Sequence, residues 1–402
     1  MKTSAYPIRN ENRGIANVLA FVLMPLSGFA TDMYLPSLPS MAGSMHVSGL
    51  QVQMTLSLFL ISYGVAQLFI GSLLDSFGRY RLTLISLFVF ALASLVIAVT
   101  KNIYLVYGMR VLHGLTVSVI VVSKRAYFID LYTGDRLKHY LSLFTIIWST
   151  GPIMAPFIGG YLEQAFGWQS NFYFLAVFAL VLLLLERIFS GETLSYFTPF
   201  RIQRITVVYI RMIRTLPFML GLLMCGLAFG MVMMYNMTGP FIIEHTLHLS
   251  PVVAGYGSLI LGLAWMAGGF LAKATLHHRF FKRLVINLGL QLAFVIIMLV
   301  SIRYISNVYA LIFFAFIIQV AAGYTFTNFY TYCLTRFPRN AGIASGFAGG
   351  ANYVTVSLLS AALVFILPGK DEYNLGYSYL ILILLSVLVM GLLKTKKESL
   401  EN

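Results

Sequence analysis

Asp32 and Arg110 are charged residues inside long apolar stretches, where side chains capable of chemistry are few. An aspartate at the centre of a membrane-spanning helix costs about 2.5 to 3.5 kcal/mol on insertion scales, so it needs an interior partner or a water-filled cavity. Burial favours the neutral form of a carboxyl group, whereas a nearby guanidinium favours the charged form. A carboxyl group between these influences can bind and release a proton. Asp32 is predicted to do so, with Arg110 tuning its proton affinity.

Asp32 and His113 also have simpler interpretations. Asp32 could cap the outer end of the first apolar stretch near Pro36. His113 follows Arg110 by one helical turn, and its ordinary pKa near neutrality would allow it to extend a proton path. A lone histidine in a helix can equally be a packed polar side chain, and the sequence leaves both alternatives open.

The remaining reactive side chains predict no further site. Glu244, His245 and His248 could bind a metal, but they fall in a predicted outer loop without a clear further ligand, so a solvated loop is favoured. Cys225 and Cys333 lie in apolar runs and offer neither a disulfide framework nor a C-x-x-C motif. The sequence also has no phosphate-binding P-loop, so no nucleotide cofactor and no metal are expected.

The composition indicates that lipid is the solvent of this chain. Of its 402 residues, 59% are hydrophobic and 10% are charged, with a mean hydropathy of +0.86, and so little polar surface could not cover a soluble globule. A spanning helix needs about 20 apolar residues. Twelve such windows are predicted, at about 15–38, 50–74, 82–100, 104–128, 139–162, 171–189, 215–241, 252–273, 284–302, 307–332, 342–367 and 375–393.

The basic residues predict how the chain crosses the membrane. The net charge is +14, and when the N-terminus is placed inside, nearly all of the 27 Lys and Arg residues fall on the cytoplasmic side. Only Lys101, Arg303 and Lys370 fall opposite, so both termini are predicted to be cytoplasmic and no nucleic acid partner is needed to explain the charge. The first 14 residues lead into an apolar stretch without a cleavage site, which predicts a retained first helix in an inner-membrane protein.

A long basic connection after the sixth window predicts two halves. The predicted domains are an N-terminal six-helix bundle at 1–189, a cytoplasmic basic linker at 190–214, and a C-terminal six-helix bundle with a short basic tail at 215–402. Paired halves related about an axis along the membrane normal are a known transporter architecture. That architecture places a small-molecule site near the membrane midplane, between the halves.

A short pattern between the second and third windows resembles a signature of the major facilitator superfamily, G-x-x-x-D-x-x-G-R-x-R. It is formed by Gly71, Asp75, Gly78, Arg79 and Arg81. The glycines permit close packing and a tight turn. Arg79 is predicted to pair with a carboxylate such as Asp130, which follows Arg125 at the end of the fourth window, and this pair would form a conformational latch.

Two further patterns resemble the same superfamily. Arg110-Val-Leu-His113-Gly114 is similar to its R-x-x-Q-G motif, with histidine in place of glutamine. The fifth window resembles the antiporter-associated G-P-x-x-x-P-x-x-G-G motif through Gly151, Pro152, Pro156, Gly159 and Gly160. Glycine and proline are common in membrane helices generally, but this clustering predicts a bent helix that approaches the opposite half and acts as a gate.

Together with Thr31-Asp32-Met-Tyr34-Leu-Pro36 and Arg125-Ala-Tyr-Phe-Ile-Asp130, these patterns make the first half, roughly residues 15–190, resemble the bicyclomycin-resistance (Bcr/CflA) group of drug:proton antiporters. The resemblance implies an all-α membrane fold of twelve helices in two bundles, with protons as the coupling ion. Met24 stands where the group's drug antiporters can carry a second helix-1 carboxylate, which puts broad acceptance of cationic drugs in doubt.

The expected function is export of a drug or a metabolite, such as a siderophore, in exchange for protons. Predicted linings of the substrate cavity are Tyr34, Tyr63, Gln67, Tyr235, Asn236, Tyr324, Asn328, Tyr332 and Asn352. A proton symporter that imports a small metabolite is the alternative, and a membrane-embedded enzyme or sensor is a third, less favoured because the chain lacks a soluble catalytic domain. The expected partners are the small-molecule substrate and the lipid bilayer, and the chain is expected to act as a monomer.

Overall fold

The computed structural model describes residue 8 and residues 10–194, 196–197, 202–275, 277–337 and 341–401. Within these ranges, side chains are described except at 10, 138, 142, 144–146, 148–149, 202–205, 341–343 and 396–401. The described residues form helices and contain no β-strand. The sequence therefore predicted the all-helical class correctly.

The chain divides into two compact units, Met1–Gln203 and Arg204–Asn402, and the division falls inside the segment predicted as a linker. The helices of the first unit are α1 (Arg13–Val22), α2 (Leu26–Asp32), α3 (Leu38–Met45), α4 (Gly49–Phe77), α5 (Arg79–Val99), α6 (Ile103–Leu131), α7 (Gly134–Phe166) and α8 (Gln169–Phe189). After α9 (Ile202–Arg214), the second unit contains α10 (Leu216–Phe241), α11 (Pro251–Ala274), α12 (Phe280–Ser301), α13 (Val308–Thr335), α14 (Ala341–Ile366) and α15 (Glu372–Glu401).

Eleven segments in the described part of the chain are long and apolar enough to cross a membrane. The first of them, Arg13–Met45, combines α1, α2 and α3. Helix α7 coincides with the predicted fifth window but is not one of the eleven, so the count of twelve spans stays a prediction. The cytoplasmic placement of the termini also stays a prediction. Lys2, Arg9 and Arg339, which contributed to it, lie outside the described residues.

The predicted basic linker contains a helix of its own. A single residue, Thr215, separates α9 from α10, and the Met212 side chain of α9 is buried. The Tyr209 ring packs against Phe347 of α14, with ring centroids 4.9 Å apart. These contacts tie the second half of the linker to the second unit.

The first span is broken into pieces because prolines interrupt its hydrogen bonding. Pro36 and Pro39 lack the N–H that a continuous helix requires, and the residue before a proline disfavours the helical conformation. Helix α2 accordingly ends at Asp32, and a 3-10 turn at Leu35–Ser37 leads into α3. A second break separates α1 from α2 just before Pro25. The break after Asp32 leaves backbone carbonyl groups available to other partners.

The broken span packs closely against the glycines of α7. A Cβ atom on Gly151 would lie 2.7 Å from the carbonyl oxygen of Pro25, and one on Gly159 would collide with the carbonyl of Met33. A Cβ atom on Gly28 would in turn collide with the backbone of Gly151. Such approaches are possible only where both surfaces lack side-chain bulk. The glycines of α7 therefore fix the position of the segment that carries Asp32.

This packing gives the antiporter-like pattern a partner that the sequence did not predict. Gly151 and Gly159 contact the first span of their own unit, whereas the sequence assigned them to approach of the opposite half. Pro152 and Pro156 lie inside α7 without ending it, and Gly160 is buried. The gating role predicted for these residues stays a prediction.

We expect Gly159→Ala to destabilise the first unit by about 1–3 kcal/mol, because the added methyl group meets backbone atoms that cannot move aside. Gly108→Ala in α6 is the matched control: a Cβ atom there has open space, and the change should be neutral or stabilising by about 0.5–1 kcal/mol. Thermal unfolding of the purified variants in detergent measures both. Equal midpoints for the two variants would contradict this account of the packing.

Candidate functional site

Arg110 is fully buried in α6 and is held by backbone carbonyls and aromatic rings. Its Nη1 donates to the carbonyl oxygen of Ala30 at 2.8 Å, and its Nε faces the carbonyl oxygen of Thr55 at 3.5 Å. The guanidinium carbon lies 4.5 Å from the ring centroids of both Tyr34 and Phe59. Carbonyl dipoles and the faces of aromatic rings both stabilise a cation. These contacts explain how the fold keeps a guanidinium in its interior.

The helix break supplies one of these contacts. In a continuous helix the Ala30 carbonyl would accept a hydrogen bond from the Tyr34 N–H, four residues on. Because α2 ends at Asp32, that carbonyl accepts its hydrogen bond from Arg110 instead. Arg110 of α6 thus binds a carbonyl at the end of α2.

Asp32 lies beside this arginine inside the first unit. Its side chain is 4% exposed, and the carboxyl group interacts electrostatically with Arg110. The Tyr34 hydroxyl is shared between the Thr55 hydroxyl at 2.9 Å and Arg110 Nη2 at 3.4 Å. Asp32 is the last residue of α2, and the apolar segment that contains it continues to Met45. The predicted neighbourhood of Asp32 and Arg110 is therefore present.

His113 sits between Arg110 and two residues of α5. Its Nδ1 lies 3.4 Å from Arg110 Nη1, and its Nε2 lies 3.0 Å from the Ser94 hydroxyl. Since a guanidinium can only donate hydrogen bonds, Nδ1 must accept, which assigns the proton of a neutral ring to Nε2. The ring stacks on Phe90 with centroids 4.4 Å apart. This geometry fits a packed neutral side chain, and the proton relay stays a prediction.

The signature between α4 and α5 forms a cluster of charges. Arg79 Nη2 contacts Asp75 at 3.2 Å, and Nη1 donates to the Ala126 carbonyl at 2.9 Å and pairs with Asp130. Gly78 has a φ of +91°, a conformation that side chains rarely adopt. The predicted Arg79–Asp130 ion pair is therefore present, while its role as a latch stays a prediction. Exposed members of the predicted set are Gly71, Arg81, Arg125 and Asp130. A Cβ atom on Gly71 would meet nothing within 4 Å, so the prediction of close packing is wrong for this glycine.

Glu192 supports this cluster, and sequence reasoning missed it. Its carboxylate accepts a hydrogen bond from the backbone N–H of Tyr80 at 3.1 Å, in the first turn of α5. The neighbouring Thr193 hydroxyl donates to Asp130 at 2.8 Å. Both residues fall in the predicted linker, where no motif indicated them. The start of that linker thus belongs to the charged cluster.

A second buried ion pair also escaped the sequence analysis. Lys124 Nζ of α6 lies 2.7 Å from Glu186 Oε2 of α8, and the two side chains are 6% and 0% exposed. The sequence assigned Lys124 to a cytoplasmic segment because it lies near a window boundary. Helix boundaries are uncertain by a few residues, which at a helix end is enough to hide a buried charge.

The predicted cavity residues separate into distinct environments. In the first unit, Tyr63 stacks on Phe59 at 5.9 Å and so belongs to the surroundings of Arg110, whereas Gln67 is half-buried. In the second unit, Tyr235 and Asn352 are buried with a polar side-chain atom that lacks a hydrogen-bond partner. Asn236 is buried in α10.

Three other predicted cavity residues of the second unit bind its own polar groups. Asn328 accepts from Arg283 at 2.6 Å, and the Tyr324 hydroxyl bonds with the Thr275 hydroxyl at 2.8 Å. Tyr332 accepts from Arg336. The three residues thus make hydrogen bonds within the second unit, and their role as cavity linings stays a prediction.

The reactive cluster around Glu244 contains no described metal site. His245 lies with Glu244 in a π-helical turn at Ile242–Thr246, and His248 follows it. Among the described residues, no three histidine, cysteine or acidic side chains come together to hold a metal ion.

The comparisons with known proteins agree on one family. The profile of the Major Facilitator Superfamily matches residues 20–361. An uncharacterized MFS-type transporter of Bacillus subtilis, YdgK, is 29% identical over 91% of each chain. A bicyclomycin resistance protein homolog of Haemophilus influenzae is 35% identical over 40% of each chain. The crystal structure of a D-xylose-proton symporter superposes with a TM-score of 0.69 over 92% of this chain and 96% of that one, at 14% identity, which shows a shared fold.

We expect Arg110→Lys to lower thermal stability by about 1–3 kcal/mol, because one ammonium cannot donate to the Ala30 carbonyl and lie between two rings as the planar guanidinium does. Arg303→Lys, at an exposed position, is the control and should change nothing measurable. Thermal unfolding in detergent compares them. An unchanged midpoint for Arg110→Lys would show that the guanidinium contacts do not matter.

The Lys124–Glu186 pair gives a test by double substitution. Lys124→Met leaves the Glu186 carboxylate buried without its cation, which is expected to cost about 3–5 kcal/mol. The double variant Lys124→Met/Glu186→Leu removes both charges and should recover most of that loss. Unfolding midpoints of the two single variants and the double variant measure the coupling, and strictly additive losses would rule it out.

Proposed function

Because the chain belongs to the Major Facilitator Superfamily, we propose that this transporter is a proton-coupled antiporter that exports a small organic molecule, a drug or a metabolite, from the cytoplasm. It is a multi-pass protein of the inner membrane. The observation that carries the proposal is the buried Asp32 carboxyl group beside an arginine that has other partners. The resistance function named for the Haemophilus relative favours efflux as the direction.

The contacts of Arg110 allow Asp32 to change its charge. Arg110 is held by the Ala30 carbonyl and by the rings of Tyr34 and Phe59, so neutralising Asp32 does not leave the guanidinium without partners. Deprotonated Asp32 gains from the nearby positive charge, whereas the protonated form is favoured by the low polarity of the interior. Two states of comparable free energy are what a cycling proton site requires.

The membrane potential supplies enough free energy for useful export. One proton crossing 100 mV is worth about 2.3 kcal/mol, which supports a cargo gradient of roughly fiftyfold. Protonation of Asp32 from the outside would favour one conformation, and arrival of cargo from the inside would favour release of the proton. The Arg79, Asp75 and Asp130 cluster would act as the latch that holds one of these conformations.

Import by proton symport is the alternative function. The shared fold with a D-xylose-proton symporter is compatible with it, but at 14% identity that likeness carries no information on direction. Proteoliposomes with an imposed pH gradient distinguish the two functions. In an antiporter, cargo that enters drives protons out and so dissipates the gradient. In a symporter, protons and cargo move in the same direction. Cargo is first identified by a growth-inhibition panel in a pump-deficient host.

We expect Asp32→Asn to abolish proton-driven export, because the amide has the size of the carboxyl group but cannot exchange a proton. The steady-state cargo gradient should fall by up to about fiftyfold at 100 mV, the value of one coupled proton. Efflux from energised cells or vesicles measures it.

Asp135→Asn, an exposed acid at the start of α7, is the matched control and should export normally. Full proton-driven export by Asp32→Asn would overturn the assignment of the coupling residue.

A further inference from the structure

A further buried carboxyl group of the first unit, without a described ion-pair partner, lies on α7 beyond the broken turn that follows Asp32. Glu163 of α7 is 8% exposed and follows Gly159, which packs on Met33, by one helical turn. The Ser40 hydroxyl of α3 donates to Glu163 Oε1 at 2.5 Å, and the Ser37 hydroxyl also interacts with the carboxyl group. Glu163 is therefore enclosed by the first span and by α7 itself.

Two oxygen atoms in this cluster lack a hydrogen-bond donor. They are Glu163 Oε2 and the side-chain oxygen of Asn171, a fully buried residue of α8. The Asn171 NH2 group donates one of its hydrogens to the Ser37 hydroxyl at 2.8 Å. A buried oxygen without a donor loses about 1–3 kcal/mol, and a buried unpaired carboxylate loses more. Among the described hydrogen bonds, none gives a donor to either oxygen.

The groups that act on Glu163 are neutral hydroxyls. From Asp32 onward the first span carries Asp32 and Tyr34 as titratable side chains, His46 follows α3, and the start of α8 carries Tyr173. The groups that act directly on the carboxyl group are the neutral Ser40 and Ser37 hydroxyls. Among the described ion pairs, none includes Glu163. A carboxyl group in this setting is stabilised by becoming neutral.

We propose that Glu163 is a second proton-binding carboxyl group, which carries its proton on Oε2 in the arrangement described here. One proton removes the buried negative charge and places a hydrogen on an oxygen that has no described donor. Ser37 follows Asp32 by five positions, across the 3-10 turn at Leu35–Ser37. This role rests on the proposed antiport function, in which Glu163 binds protons before they pass to Asp32. The protonation of Glu163 itself does not depend on that function.

A proton fits the cluster better than a metal ion. Hard cations take about six to eight oxygen ligands in calcium sites and six in magnesium sites. Here the Ser40 and Ser37 hydroxyls are engaged in hydrogen bonds, which leaves Glu163 Oε2 and the Asn171 oxygen as the free acceptors. A proton bound to Glu163 Oε2 requires no such set of ligands. A sodium ion is retained as an outcome of the test.

The test is infrared spectroscopy of the purified full-length protein, because a protonated carboxylic acid has a carbonyl band distinct from that of a carboxylate. During titration with alkali, the wild-type protein should still show carboxylic acid bands at neutral pH. We expect Glu163→Gln to lose one of these components and Asp32→Asn to lose a different one. The exposed control Asp135→Asn should keep both components.

A spectrum of Glu163→Gln that equals the wild type at every pH would overturn the proposal. If that variant does not fold, protein labelled with carbon-13 at glutamate is compared with labelled Ser40→Ala, since the Glu163 band must shift with the label and must also respond to loss of the Ser40 hydroxyl. Ser40→Ala keeps the carboxyl group and should shift the same band by removing its hydrogen bond. Loss of the band on adding sodium at constant pH would show a cation site instead, against the proposal.

This readout separates the two proposals. The Glu163 band is measured without cargo, so it can be present even if Asp32→Asn exports normally and the antiport mechanism fails. Conversely, absence of the Glu163 band leaves coupling through Asp32 intact. If both hold, Glu163→Gln should displace the pH profile of export while retaining cargo binding, which a purely structural residue would not do.

Discussion

The structure of the first unit depends on how a permanently charged guanidinium is kept in an apolar interior. Arg110 has no exposed surface, and moving a bare charge from water to such a place would cost more than most proteins can recover. Its partners are a carbonyl released by a helix break, a second carbonyl on α4 and two aromatic faces. The break in the first span therefore supplies one of the groups that stabilise the charge.

The broken, proline-rich first span also contacts the glycines of α7. The broken segment can lie against α7 only because Gly151 and Gly159 present backbone without side chains. Asp32 and Glu163 both lie where the first span meets α7. Asp32 precedes the 3-10 turn at Leu35–Ser37, and Glu163 binds Ser40 just after that turn. Small changes in how the first span meets α7 would alter the surroundings of both acids. That is the physical connection a proton-driven transporter needs between protonation and conformation.

Sequence reasoning predicted what depends on rare residues in apolar surroundings. Asp32 and Arg110 stood out because charge inside a spanning window is costly, and Arg79 with Asp130 stood out through a spaced pattern. It missed Glu163, Glu186 and Glu192, because each lies near a helix end, where a shift of three residues decides between solvent and interior. It also missed the hydrogen bond from Arg283 to Asn328, which joins α12 to α13 and depends on how these helices pack.

The number of spans and the sidedness of the termini remain predictions, because hydropathy and charge counting locate windows without showing a membrane. The central claim, that Asp32 exchanges a proton as cargo binds, is open to direct measurement. Purified protein in weakly buffered detergent solution is mixed with cargo while the pH is recorded. Wild-type protein is predicted to release protons. Asp32→Asn is predicted to release fewer, and the difference should equal the protons that the Asp32 carboxyl group releases. Equal proton release from both proteins would contradict the account.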